Sequence, residues 1–205
     1  IYMKSPEESD GFVLNRNVKF DKTLFSCYEK CLYIDTNVRI HKKLSTFFDL
    51  LHDNVDIVVF DHPDRHSVGE ELHNIMNRDP IPEKFGNFSK KNIVKFKKHR
   101  DVFTTPLYWL NVHLSRTNIN YFEKIMKLFY KFNIRRDQIL FPLTIGHEKV
   151  YNIPLLTNRE KPCPTSKIDA DYGYLGTYTE YFCRPFGGWH SKDVDKRFRK
   201  NVKLI

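Results

Sequence analysis

The chain has 205 residues, enough for one domain with a real core and too few for two comfortable ones. A hydrophobic fraction of 40%, with 17 Phe and 11 Tyr, excludes a disordered tail, and no apolar run approaches the length that crosses a bilayer. The formal net charge of +9 favours anionic partners such as nucleotides, phosphates, acidic glycans, nucleic acids or lipid headgroups, without choosing among them.

In chain order, residues 1–20 hold Pro6, Glu7-Glu8, Gly11 and then Phe12-Val13-Leu14, an irregular start followed by at most one strand. They lack the basic-then-apolar layout of a signal peptide. Cys31-Leu32-Tyr33-Ile34 is an apolar, partly β-branched run that stops at Asp35, with Thr36 and Asn37 after it. This predicts a buried strand whose carboxyl end sends Asp35 and Asn37 to the same side, because strand residues i and i+2 share a face. Leu44, Phe47, Phe48, Leu50 and Leu51 recur at helical spacing and predict a helix from about Lys43 to His52. Asp56-Ile57-Val58-Val59-Phe60 reads as a second buried strand, running into Asp61-His62-Pro63-Asp64-Arg65. Ser67 followed by Glu70 is a capping box, so a helix starts there and carries Leu72, Ile75 and Met76 inward.

Pro80, Pro82 and Gly86 mark a loop over 79–90, and Ile93, Val94 and Phe96 among lysines predict a short amphipathic helix. Leu107 to Leu114 alternates weakly and reads as a strand buried on both faces. Asn118 or Asn120 caps the next helix, whose apolar face is Phe122, Ile125, Met126, Phe129 and Tyr130, and Asn133 ends it. Arg135-Arg136-Asp137-Gln138 opens a further helix carrying Ile139, Leu140 and Phe141. From Glu160 onward Pro162, Pro164, Gly173, Gly176, Pro185, Gly187 and Gly188 predict an irregular tail over the surface or the active site. Alternating strands and helices predict an α/β domain.

Several groups of residues carry chemistry. Asp35 and Asn37 at a strand end offer two oxygen donors to a hard divalent cation bearing a diphosphate, and they equally suit a plain turn. His62 and Arg65 follow the next strand end, where Arg65 would fork a phosphate or carboxylate and His62 would donate to a hydroxyl or diphosphate; the same loop also reads as a turn. Glu70-Glu71 reads as a capping residue with a solvated neighbour. Asp137 at a helix start is stabilised as an anion, suiting either an acceptor-side acid or a simple helix charge. In Gly187-Gly188-Trp189-His190 the indole would stack on a sugar or base and His190 would be a third metal ligand beside Asp35 and Asn37, with His147 the competing imidazole. The runs Lys90 to Arg100 and Lys192 to Lys203 interleave apolar residues and read as solvated faces rather than as nucleic-acid sites. Cys27, Cys31, Cys163 and Cys183 do not make the paired CxxC knuckles of a structural zinc site, and a Cys163–Cys183 bridge is left open.

In combination, Phe20 to Leu156 resembles a glycosyltransferase-like family long catalogued as a domain of unknown function, with plant, bacterial and viral members. The matching pieces are Tyr33-Ile34-Asp35-Thr36-Asn37, then His62-Pro63-Asp64-Arg65 with the acids after it, then Arg116, Asn118 and, beyond the aromatic helix, Arg136-Asp137-Gln138. The resemblance implies a single GT-A-like domain over 1–205, with a mixed, mostly parallel sheet flanked by helices. It implies a nucleotide-diphosphate sugar as donor and a divalent metal, Mn2+ before Mg2+, held by Asp35, Asn37 and His190. Asp35, Asn37, His62, Arg65 and Trp189 would contact the donor, Arg116, Asn118, Arg136 and Gln138 the substrate, and Asp137 would serve the acceptor. Thr36 stands where the family has Gly, and Asn37 is a neutral donor. Only 34 residues precede Asp35, so the nucleotide-binding portion is expected to be incomplete or reduced.

The expected function is a metal-dependent glycosyltransferase acting on a glycan or glycosylated protein. The alternative is an inactive glycan- or nucleotide-binding domain of the same fold. Abundant Lys, Asn, Ile and Phe suit an AT-rich genome such as that of a large virus, with the host cytoplasm as location, or the Golgi lumen if an anchor precedes this segment.

Overall fold

The computed structural model describes residues 16, 19–21, 25–35, 38–40, 42–62, 65–78, 81, 86, 90–98, 101–154, 156–158, 176–178 and 182–185. Its first strand, β1, is Lys30–Ile34, followed by a two-residue strand β2 at Arg39–Ile40. Helix α1 covers Ser45–Asp49, shorter than the apolar spacing predicts, because only Phe47 is fully buried on it. Strand β3 is Ile57–Asp61, and α2 is Val68–Met76. Ser67 caps the helix, accepting from the Glu70 N–H at 3.2 Å, while Glu70 Oε2 reaches back one residue further than a capping box requires and accepts from the His66 N–H at 2.8 Å. Leu72 and Ile75 point inward as expected, whereas Met76, at the last helical position, is exposed.

Helix α3 is Lys90–Lys97, with Ile93 and Phe96 buried and Lys91, Lys95 and Lys97 in solvent. Strand β4 is Tyr108–Arg116, buried along all but its last residue. Asn120 caps α4, Tyr121–Phe132, accepting from the Phe122 N–H at 3.0 Å, and Asn133 ends it in the left-handed region at φ 52°. The inward face of α4 uses Leu128 and Phe132 in place of Tyr130, which is exposed. Helix α5 is the single turn Asp137–Leu140, continued by a 3-10 turn at Phe141–Thr144. Strands β5, Val150–Ile153, and β6, Leu156–Asn158, follow. Two more, β7 at Gly176–Tyr178 and β8 at Phe182–Pro185, lie in the tail that the sequence predicts to be irregular.

The central sheet has the order β1-β4-β3-β5. It is mixed, but not mostly parallel: β1 and β3 both run antiparallel to β4, and only β3 and β5 are parallel. The expectation of a mostly parallel sheet is what the family resemblance implies. Two helices, α2 and α3, separate β3 from β4. A second sheet, β2-β8-β7-β6, is antiparallel throughout.

The central sheet is covered on both faces. On one, Ile57, Val59 and Leu110 pack with Leu72, Ile75, Phe96, Ile125 and Ile139 from the helices. On the other, Val58, Phe60 and Val112 pack with Phe47, Leu51 and Phe182; Phe47 stacks on Phe60 at 6.0 Å and meets Phe182 edge-on at 5.0 Å. Through Phe182 the second sheet shares this core.

One irregularity positions the site. Between β3 and β4 the register shifts: Val58 faces Leu114 while Phe60 faces Trp109, so two steps along β3 match five along β4. The extra residues bulge around Asn111, while the β1 side stays regular up to Ile34 opposite Val112. Bulges of this kind re-aim side chains at the rims of sheets.

Candidate functional site

The carboxyl ends of β1 and β3 and the amino end of β4 form one edge of the central sheet. Beyond Ile34, the Asp35 N–H donates to the Asn111 carbonyl at 2.7 Å, carrying the β1–β4 ladder one residue further. The Asp35 carboxylate then collects donors on both oxygens. Tyr33 Oη donates to Oδ1 at 2.6 Å, and the amide of Asn111, delivered by the bulge, donates to Oδ2. Burial, and then the Asp35 carboxylate itself, push the Tyr33 phenol far above its ordinary value, so Tyr33 stays a donor.

Asp137 reaches the same place from the start of α5. Lys19 Nζ donates to Asp137 Oδ2 at 2.9 Å and lies 3.9 Å from Asp35 Oδ1, so one ammonium joins two carboxylates that are remote in sequence. Arg16 approaches Asp137 Oδ1 at 3.6 Å, and the Gln138 N–H donates to that oxygen at 3.0 Å. Burial alone would raise the Asp137 pKa. Lys19 and Arg16 outweigh it and hold the carboxyl well below the usual carboxylate range. Lys19 is fixed in turn: its ammonium lies 4.9 Å from the centre of the Tyr33 ring, and its carbonyl is 3.2 Å from Nε2 of the buried His113. The His113 ring stacks with Phe20 and Tyr33, at 5.5 and 5.1 Å.

A second cluster stands beside the first. Glu71 on α2 is 1% exposed and meets two guanidiniums: Arg136 Nε donates to Oε1 at 3.0 Å, and Arg65 Nε lies 2.6 Å from Oε2. The Arg65 contact holds by charge, its N–H not being aimed at the oxygen. Arg65 Nη2 also lies 3.1 Å from His62 Nε2. A guanidinium only donates, so Nε2 accepts and the ring proton is on Nδ1. Burial, followed by the charges of Arg65 and Arg136, pushes the His62 pKa down to about 3, leaving the imidazole neutral at pH 7. Arg136 and Asp137 are adjacent in the chain, so the start of α5 links the two clusters.

The sequence-predicted residues thus divide. Asp35 and Asp137 meet at Lys19, and His62, Arg65 and Arg136 gather around Glu71. Gln138 is buried next to Asp137. Arg116 and Asn118 do not reach the site. Arg116 is the last residue of β4, at its other end, and Asn118 lies two residues beyond; there Arg116 pairs with Glu29 at 2.9 Å and donates to the carbonyls of His52 and Val55. That arrangement ties loops together at the opposite edge of the sheet, and Asn118 is exposed in the turn that follows. His147 is exposed just before β5, whose first residue pairs with the first of β3, also at the opposite edge. Asn37, Trp189 and His190 lie outside the described residues, as do Phe12-Val13-Leu14, Pro63-Asp64 and Cys163.

No protein-family model, curated protein or solved structure matches this chain. The site is therefore read from its own chemistry. Among the described residues no group of three or more His, Cys, Asp or Glu is placed to hold a metal ion. Asp35 suits one place in such a set: it is a hard oxygen donor at a strand end, 28% exposed in its side chain, with its nearest cation at 3.9 Å. A groove of about 450 Å3 runs along β1 between Phe25, Tyr28, Leu32 and Phe48 and ends at Tyr33 and Ile34, one residue short of Asp35.

Sequence reasoning missed Arg16, Lys19, Asn111, His113 and the burial of Glu71. Three of these carried a signal. Asn111 and His113 are polar residues two apart in a strand read as buried on both faces. Glu71 falls on the stripe of Val68, Leu72 and Ile75, the inward face of α2, so it is not a solvated neighbour of Glu70.

Proposed function

We propose that this chain is a nucleotide-sugar-dependent glycosyltransferase of GT-A type, moving a hexosyl or related sugar from a nucleoside-diphosphate donor to a glycan or glycosylated protein. The observation that carries the reading is the convergence of Asp35 and Asp137 on Lys19 at a strand-end edge, with Arg65, Arg136 and a neutral His62 beside them. Ligands of open parallel α/β sheets sit beyond the carboxyl ends of strands, and β1 and β3, which run in the same direction on either side of β4, both end at this edge. The groove along β1 would take the apolar part of a ligand.

In this reading Asp35, His62 and Arg65 serve the donor. A divalent ion, Mn2+ or Mg2+, belongs to the proposal with Asp35, Asn37 and His190 as its holders; when bound, it supplies positive charge to the departing diphosphate. Asp137 orients an acceptor hydroxyl rather than removing its proton, because an acid held far below its ordinary pKa is a weak base at neutral pH. That weakness also favours a second reading, a glycan- or nucleotide-binding domain of the same fold without turnover.

Donor hydrolysis and transfer, measured with manganese across a panel of nucleotide sugars, separate the two. The transferase reading expects product, and a loss of at least about 100-fold in Asp35→Ala. Undiminished turnover in that variant removes Asp35 from the mechanism. Calorimetric binding with no product after long incubation selects the second reading.

A further inference from the structure

Glu71 has the least ordinary placement of any charged residue described. It occupies a core-facing position of α2, nearly all of its surface is removed from water, and it faces one guanidinium on each carboxylate oxygen. A buried carboxylate is tolerated only when paired, and one cation would have sufficed. Two are present, so the cluster of Arg65, Arg136 and Glu71 carries a surplus positive charge, and His62 adds none because it is neutral. Both arginine side chains remain partly exposed, at 24% and 30%, while Glu71 lies beneath them at 2%. Arg136 donates to Glu71 from Nε, and Arg65 lies against the other oxygen by charge. Arg65 reaches the cluster from the loop after β3 and Arg136 from the start of α5, so the shared carboxylate ties together two guanidiniums that come from separate segments.

We propose that Glu71 is a positioning residue that assembles Arg65 and Arg136 into a two-guanidinium fork for a diphosphate. Guanidinium donors match phosphate oxygens in pairs, and two of them span the two phosphates of a pyrophosphoryl group better than a lone carboxylate. The inference rests on the proposed transfer only for what the diphosphate is attached to.

The positioning role makes a prediction opposite to that of charge alone. Glu71→Gln deletes a negative charge next to the anion, which by Coulomb's law tightens binding. If Glu71 positions the fork, the same change weakens it. The test is calorimetric titration of the full chain with inorganic pyrophosphate, with each variant first checked for cooperative thermal unfolding. We expect the wild type to bind, Arg65→Ala and Arg136→Ala each to lose about tenfold or more, and Glu71→Gln to lose about fivefold despite the gained charge. Adding Glu71→Gln to the Arg65→Ala, Arg136→Ala double variant should cost nothing more.

Wild-type protein that does not bind pyrophosphate overturns the proposal. So does a folded Glu71→Gln variant that binds as tightly as wild type or more so, or a double arginine variant that keeps full affinity. If Glu71→Gln does not fold, Arg65→Lys decides: it keeps the charge and loses the fork, so unchanged affinity overturns the proposal and loss supports it. Pyrophosphate binding without sugar transfer would sink the proposed activity and leave this fork standing. Transfer without pyrophosphate binding would do the reverse.

Discussion

The two ends of β4 make the same kinds of ion pair to different ends. At its carboxyl end, Arg116 pairs with Glu29, whose side chain is 73% exposed, and spends its other donors on backbone carbonyls of a neighbouring loop. Arg116 is itself 18% exposed, but its acid stands in water, so the arrangement secures loops at modest gain. Near its amino end the partners are Asp35, Asp137, Lys19 and Glu71, drawn from four separate segments and mostly withdrawn from water. Burying that many charges is unfavourable compared with an apolar core of similar shape. Among the described residues these charges gather at one edge, which is where the proposed site lies.

Substitutions sharpen the contrast. Glu71→Ala leaves two guanidiniums facing a cavity, and urea unfolding should register about 3–5 kcal/mol of lost stability. Arg116→Ala at the other edge should cost about 1–2 kcal/mol. Equal losses would erase the distinction between the two ends.

The next effect is in pH. The folded pKa of His62, about 3, lies below its ordinary 6.5, so between those values the unfolded chain binds more protons than the folded one. Stability therefore falls as pH falls through that window, by up to about 1.4 kcal/mol per pH unit. Asp137, also depressed, contributes stability that is present above its ordinary value of 3.8 and lost only below it. Denaturation of wild type and His62→Gln between pH 6 and pH 4 should thus show a steeper slope in the wild type. Parallel slopes would mean that His62 is not buried in its neutral form.

A smaller effect concerns the turn that delivers Arg136 and Asp137. Gly86 lies at φ +90°, bridged to Ile134, and a Cβ there would come within 2.4 Å of the Asn133 carbonyl oxygen. Gly86→Ala should cost about 1–3 kcal/mol and lower donor affinity with it. Lost stability with unchanged affinity would detach this turn from the site.

How much was legible in the sequence follows the range of the physics. The cap at Ser67, the cap at Asn120, one of the two asparagines the sequence offers, and the left-handed stop at Asn133 are contacts within a few residues, and all form. β3 and β4 follow from apolar runs. Strand direction did not, because it depends on how often the chain crosses the sheet between β3 and β4. The bulge at Asn111 arises from pairing between strands and leaves no local mark. Within the site, Asp35, His62, Arg65 and Asp137 were legible as polar groups following strands or opening a helix. Lys19 was not, since nothing near Phe20 distinguishes it from the other lysines. Arg116 was misread because its place in an ordered set of motifs says nothing about which end of a strand it occupies.

The most direct measurement is a thermal-shift series with nucleoside-diphosphate sugars and manganese on wild type, Asp35→Asn and Arg116→Ala. If the edge built by Asp35, Lys19 and Asp137 is where the donor binds, one donor class raises the melting temperature of wild type and Arg116→Ala alike, and the shift vanishes in Asp35→Asn. A shift that survives in Asp35→Asn and disappears in Arg116→Ala would place the ligand at the opposite edge of the sheet and contradict the proposed site.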